Sequence, residues 1–349
     1  MQKAPAAIKQ TTHCRLKRQD TSSFALIGHR FSVSLTPPID APRHWPYLAL
    51  PSRDANAPMP QIPKPMSPTP HRVHATLAVD NPTQAVTLLA QATSLSKTQI
   101  KDCMTKGGVW HKRPGRRLER LRRATAQVLP GEILHIYYDP TILQRQPPQL
   151  APILRTPHWS IWAKPPGIPT QGSPWGDHLA LTRLAAKVLG LSREAHPVYR
   201  LDCDASGLVL LAHHSKAMDA LTRLHLHGGI HKRYHTVLHG RAPWQEMTVC
   251  EPIGGKPAQS HFRVLQHTNQ HTWVEALLST GRRHQIRIYA AHALGMPIVG
   301  DTRFGGPPWD VLMLAAVSLE FLCPLTSRSV SLHLDPAHWP QTIALNSLA

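Results

Sequence analysis

The chain has 349 residues, 42% of them hydrophobic, with 39 Lys and Arg against 20 Asp and Glu and a formal charge of +19. That length exceeds one ordinary core, so two folded units plus extensions are expected. The charge excess opposes compaction and favours a polyanionic partner, with an acidic membrane surface as the competitor. No stretch approaches 18 consecutive apolar residues, which excludes a spanning helix.

Residues 1 to 70 hold 12 of the 34 prolines and little apolar periodicity. Proline lacks the amide donor and restricts the residue before it, so this segment reads as a disordered basic arm. It is compatible with organellar targeting but lacks the apolar run of a secretory signal. Met59 and Met66 are alternative starts.

Residues 71 to 140 read as a small α/β module. Asn81-Pro82 caps a helix with Ala85, Val86, Leu88, Leu89 and Ala92 on one face. Ser96-Lys97-Thr98-Gln99 has capping-box form and opens a second helix that stops at Gly107-Gly108. Val109-Trp110-His111 begins a strand, Pro130-Gly131 marks a turn, and Ile133 to Tyr138 is a strand. From Lys97 to Arg123 ten Lys or Arg face only Asp102 and Glu119, too one-sided for a salt-bridged surface. Within this run Lys97, Lys101, Arg116, Arg117 and Arg120 are the candidate phosphate contacts.

Residues 141 to 152 are a Pro- and Gln-rich linker, and 153 to 349 form the large unit. Strands are expected at 161–163, 208–211, 234–238, 273–278 and 285–289, and helices at 179–189 and 218–226. The mixture implies an α+β domain with a mixed or antiparallel sheet. Across the whole chain the five scattered cysteines have no Cys-x-x-Cys spacing, and the 24 His form no tight ligand set, so neither a disulfide framework nor a metal is expected.

Four segments carry chemistry. They are Lys164-Pro165-Pro166-Gly167-Ile168-Pro169, Tyr199-Arg200-Leu201-Asp202-Cys203-Asp204-Ala205-Ser206-Gly207-Leu208, Lys232-Arg233-Tyr234, and Thr280-Gly281-Arg282-Arg283-His284-Gln285-Ile286-Arg287, the last followed by Gly295-Met296-Pro297-Ile298-Val299-Gly300-Asp301. Asp202 falls in a polar loop before a strand, at the mouth of a sheet. It is either a cap or structural ion, or a reactive acid that Arg287 keeps ionised by pairing. Tyr234 is either a core aromatic or a flat ring for stacking with a hydroxyl for proton transfer.

In order and content these segments resemble the RluA family of RNA pseudouridine synthases, over about 190 residues. The basic module before them resembles the S4-type RNA-binding domain. The resemblance implies Asp202, Tyr234 and Arg287 as catalytic. Arg200, Lys164, Arg282, Arg283, His284 and Gln285 are implied as substrate or RNA contacts, Arg200 wedging into the space a displaced base leaves. No cofactor and no metal are implied. The expected partner is RNA, ribosomal before transfer RNA, with no membrane and no obligate protein partner, in the cytoplasm. Tyr199, Ala205 and Tyr289 stand where the family usually has His, Thr and His, none at the triad. A non-catalytic RNA-binding or ribosome-assembly factor on the same fold, and a nucleoside hydrolase or glycosylase, are the rival readings.

Overall fold

The computed structural model describes residues 72–334. The proline-rich arm with its alternative starts, and residues 335–349, lie outside the described residues.

A small module comes first. It comprises β1 (Val73–Ala78), β2 (Thr83–Gln84), α1 (Ala85–Ala92), α2 (Lys97–Thr105), β3 (Val109–Lys112), β4 (Glu119–Arg120), β5 (Gln127–Val128), β6 (Ile133–Tyr138) and α3 (Pro140–Leu143). Its antiparallel sheet runs β1-β6-β3-β4, and β2 pairs with β5. Leu89, Ile100, Met104, Leu134 and Ile136 form its buried core.

The capping box is present: Gln99 N donates to Ser96 Oγ at 3.2 Å, and Ser96 N donates to Gln99 Oε1 at 2.9 Å. Helix α2 ends in a Schellman arrangement, with Gly107 N bonded to Met104 O and Gly108 N to Cys103 O. The start of α1 differs from expectation. Asn81-Pro82 does not cap it, because Thr83–Gln84 first pair with Gln127–Val128 and Gln84 takes the N-cap position.

The large sheet has ten strands, and its central strands are covered on both faces. The ten are β7 (Pro152–Arg155), β8 (Trp159–Lys164), β9 (His196–Pro197), β10 (Ser206–Ala212), β11 (Ile230–His239), β12 (Glu246–Val249), β13 (Ser260–His267), β14 (His271–Leu278), β15 (Leu314–Leu322) and β16 (Ser329–His333). The order is β12-β13-β14-β11-β15-β10-β8-β7, with β9 added on β10 and β16 on β15. All pairings are antiparallel except β10 with β15. This is the α+β class expected.

Helices α4 (Leu181–Leu189), α5 (Ser215–Leu226) and α6 (Gln285–Ile288) complete the layers. Val209 and Leu211 of β10 pack in one core with Leu181 and Ala185 of α4, while Leu208 and Leu210 pack in the other with Ala217 and Leu221 of α5. Burial on both faces explains the unbroken apolar run of β10. Gly207 has φ +113, and a Cβ there would run into the Ala316 backbone, so glycine is what lets β10 lie beside β15.

One expected strand is a helix. Residues 285–288 form α6, which runs on into a π-helical turn at Tyr289–Ala293. Ile286 and Ile288 mimic strand alternation, but the left-handed residue His284 (φ 57) turns the chain sharply before them.

Candidate active site

Asp202 sits in the loop that feeds β10, with 22% of its side chain exposed. A second loop, running on from β8, holds it from both flanks. Thr170 Oγ1 donates to Leu201 O at 2.8 Å and accepts from Leu201 N at 3.1 Å, while Gly167 N donates to Cys203 O at 2.9 Å. Lys164 lies beneath, 1% exposed, and donates to the carbonyls of Pro165 (2.9 Å), Ile168 (2.8 Å) and Cys203 (2.9 Å). Burial lowers its pKa to about 8. Lys164 is therefore corrected from an RNA contact to a positioning residue: its ammonium is spent on backbone around Asp202 and does not reach solvent.

The other wall comes from α6 and the turn before it. His284 Nδ1 lies 2.8 Å from Asp202 Oδ2. Arg283 Nε donates to His284 Nε2 at 3.2 Å, which leaves Nδ1 as the protonated nitrogen that donates to the carboxylate. Arg287 Nη1 reaches the same Asp202 oxygen at 3.4 Å. Its stronger partner is Asp301, held by two parallel bonds of 2.7 Å through Nε and Nη2. Burial works against the guanidinium charge, but Asp301 and then Asp202 outweigh it, so its pKa stays above the ordinary value. The expected Arg287–Asp202 pair is thus the longer arm of an Asp202–Arg287–Asp301 chain. Asp301 was in plain view after Gly300, but nothing in its own spacing linked it to Arg287.

Tyr234 lies on β11 at 6% exposure, opposite Ala316 of β15. The register slips between Arg233 and Tyr234, leaving Val317 as an extra residue on β15. Such bulges re-aim side chains beside active sites. Burial raises the phenol pKa and the charge of Asp202 adds to it, so Tyr234 is a neutral phenol at pH 7. It therefore holds no resident phenolate at that pH.

The remaining candidates divide. Arg200 and Arg283 are exposed beside Asp202 and His284. Arg282 is half-buried, and its Nε donates to Pro257 O at 2.9 Å. Gln285 is 2% exposed and saturated: its carbonyl accepts from Thr280 Oγ1 and Arg282 N, and its amide donates to Gln259 O and Ser260 Oγ. It fixes the turn and is corrected from a substrate contact. Tyr199, in place of the usual His, is buried; its hydroxyl donates to Leu208 O at 3.1 Å, and Lys232 Nζ sits 4.1 Å over its ring.

On the small module Lys97, Lys101, Arg116 and Arg117 are exposed. Arg120 is not free for phosphate. It lies 4.2 Å over Trp110, donates to Gly107 O and to Ser173 O, and is 3.1 Å from Asp177. Among the described residues no group of three or more His, Cys, Asp or Glu could hold a metal ion, and no helix is long and apolar enough to cross a membrane.

A model of the RNA pseudouridylate synthase family matches residues 158–292, which span Asp202, Tyr234 and Arg287. An uncharacterized RNA pseudouridine synthase of Chloroflexus aurantiacus is 31% identical over 60% of this chain and 71% of its own length. One from Bacillus subtilis is 36% identical over 41% of this chain and 56% of its own. The ribosomal large subunit pseudouridine synthase C of Buchnera aphidicola is 29% identical over 48% and 61%. The chain therefore belongs to the RluA-type family of RNA pseudouridine synthases. It spans little more than half the length of the Bacillus subtilis relative.

Proposed function

We propose that this protein isomerises uridine to pseudouridine in RNA, with Asp202 as the reacting carboxylate. The observation that carries the reading is a half-open carboxylate fixed by His284 and Arg287 within the field of a buried tyrosine. The bond from uracil N1 to the ribose C1′ breaks, the base turns, C5 bonds to C1′, and the C5 proton leaves for N1 through a relay. No electrons are gained or lost, so the balance calls for no redox cofactor. Asp202 acts either as nucleophile at C1′ or as base at the neighbouring ribose carbon. Its negative charge is needed in both, and the His284 and Arg287 donors keep it oriented. Tyr234 is the relay for the C5 proton.

The uridine must first leave its stack, at a cost of about a few kcal/mol, and exposed Arg200 beside Asp202 is suited to fill the gap. Lys97, Lys101, Arg116 and Arg117 give the small module a basic face for the RNA backbone, in the manner of an S4-type domain. Ribosomal RNA is the substrate class we assign, since the Buchnera aphidicola relative is named for the large ribosomal subunit, and the cytoplasm is the matching compartment.

Pseudouridine mapping on ribosomal RNA treated with purified protein tests the reading. Asp202→Asn should lower the yield at least about a thousandfold while RNA affinity and unfolding midpoint stay close to wild type. Normal yield from Asp202→Asn, or release of free uracil from wild type, overturns it.

A further inference from the structure

The segment from Lys164 to His178 touches both halves of the molecule. At its near end, Lys164, Gly167 and Thr170 bond the carbonyls of Leu201 and Cys203, the residues on either side of Asp202. At its far end, Asp177 is 2% exposed and receives Arg120 and Arg122 from the small module together with Arg183 from α4. Burial alone would raise the Asp177 pKa, but the Arg122 hydrogen bond and the surrounding guanidinium charges hold it below the ordinary carboxylate value.

The same end also closes the C-terminus of α2. Arg122 and Arg183 donate to Thr105 O, Asp177 N donates to Lys106 O at 2.9 Å, and Arg120 donates to Gly107 O. These are carbonyls that a helix end leaves without partners, and cations favour that end of the dipole. Gly107 has φ +83, and a Cβ there would meet the Asp177 carboxylate. Trp110 Nε1 donates to Pro174 O at 3.0 Å, Arg72 lies 3.6 Å over Trp175, and Tyr137 meets the edge of that ring at 5.4 Å. This contact is made of directional, mutually saturating bonds. It is unlike the sparse polar seam of a module hung on a flexible linker.

We propose that residues 164–178 are a rigid bridge that fixes the span between the basic face of the small module and Asp202, with Asp177 as the positioning residue that locks it. One RNA then engages both halves at a set separation, and the span selects which uridine reaches Asp202. This rests on the synthase reading above. A locked bridge raises the effective concentration of the second contact once the first has formed; an unlocked one forfeits that gain.

The test compares two RNAs: a ribosomal RNA fragment long enough to touch both halves and carrying a loop uridine, and a hairpin of that loop alone. Asp177→Asn keeps the shape of the side chain and removes the charge that gathers the arginines. Affinity for the fragment should fall about tenfold, while affinity and single-turnover rate on the hairpin stay within about twofold. Arg122→Gln, at a side chain 35% exposed, should give a smaller loss of the same pattern and carries the test if Asp177→Asn does not fold. Unchanged fragment affinity in both variants overturns the bridge. So does an equal loss on both RNAs, which makes Asp177 a support of the cleft alone. If wild type forms no pseudouridine yet the affinity gap between fragment and hairpin closes in the variants, the synthase reading fails and the bridge stands.

Discussion

Asp177 and Asp202 are both flanked by arginine, in opposite proportions. Asp177 gathers Arg120, Arg122 and Arg183, and 1% of its side chain is exposed. Asp202 shares a single arginine with Asp301 and leaves 22% of its side chain open. A carboxylate enclosed by three guanidiniums and shut off from solvent is structural: no open oxygen faces a ligand. A carboxylate given one histidine bond and one long arginine contact is oriented but not consumed, which is the condition for reacting. Charge alone does not separate the two roles; the balance of donors does.

The largest expected effect breaks this contrast at Arg287. Arg287→Ala removes the one side chain that Asp301 bonds among the described residues, and the carboxylate it strands has a fully buried side chain. The cost should be about 3–5 kcal/mol, read as a lower midpoint in urea melts. Arg122→Ala should cost under about 1 kcal/mol, because Asp177 keeps two partners and Arg122 is partly exposed. Replacing Arg287 and Asp301 together by leucine should recover much of the lost stability without recovering activity. Equal costs at Arg287 and Arg122 would show that the donor balance does not govern the two sites.

A smaller effect concerns pH. The folded pKa of Lys164 is about 8, below its ordinary 10.5. Between those values the unfolded chain binds more protons, so this group makes stability rise with pH there, and below about pH 8 its full penalty is present. Stability of wild type relative to Lys164→Met should therefore climb from about pH 8 to about 10.5, by roughly 3–3.5 kcal/mol. A flat difference would mean that the lysine keeps its proton in the fold and its three carbonyls offset burial.

The smallest effect is at His284. His284→Gly relieves a left-handed backbone worth about 1 kcal/mol and removes the shortest bond to Asp202. Stability should stay within about 1 kcal/mol of wild type, while pseudouridine formation drops about tenfold. Unimpaired turnover would assign the orienting of Asp202 to Arg287 alone.

Much of this architecture is local, and local features were readable. The Ser96–Gln99 box, the glycine stop of α2 and the apolar run of β10 each follow from side-chain chemistry within a few positions. The class of the fold and the order of the four motifs were legible for the same reason. What escaped depends on pairing at a distance. Asp301 acquires meaning only when Gly300 and the following turn bring it beneath Arg287. Arg120 looks like one more cation in a basic run until Asp177 arrives from more than fifty residues away. Residues 285–289 alternate like a strand, and only the left-handed turn at His284 makes them helical. Strand β15 offers no period at all, since it is buried on both faces over most of its length.

That last strand has a consequence for synthesis of the chain. Asp202 belongs to the loop before β10 and Tyr234 to β11, and the two strands never pair; β15 lies between them and joins both. Its residues, 314–322, are among the last of the described chain to leave the ribosome. Until they emerge, the aspartate and the tyrosine have no common frame. The frame that Asp202 and Tyr234 share is therefore built from non-local pairings, the kind that form slowly because a long stretch of chain must close before they are made.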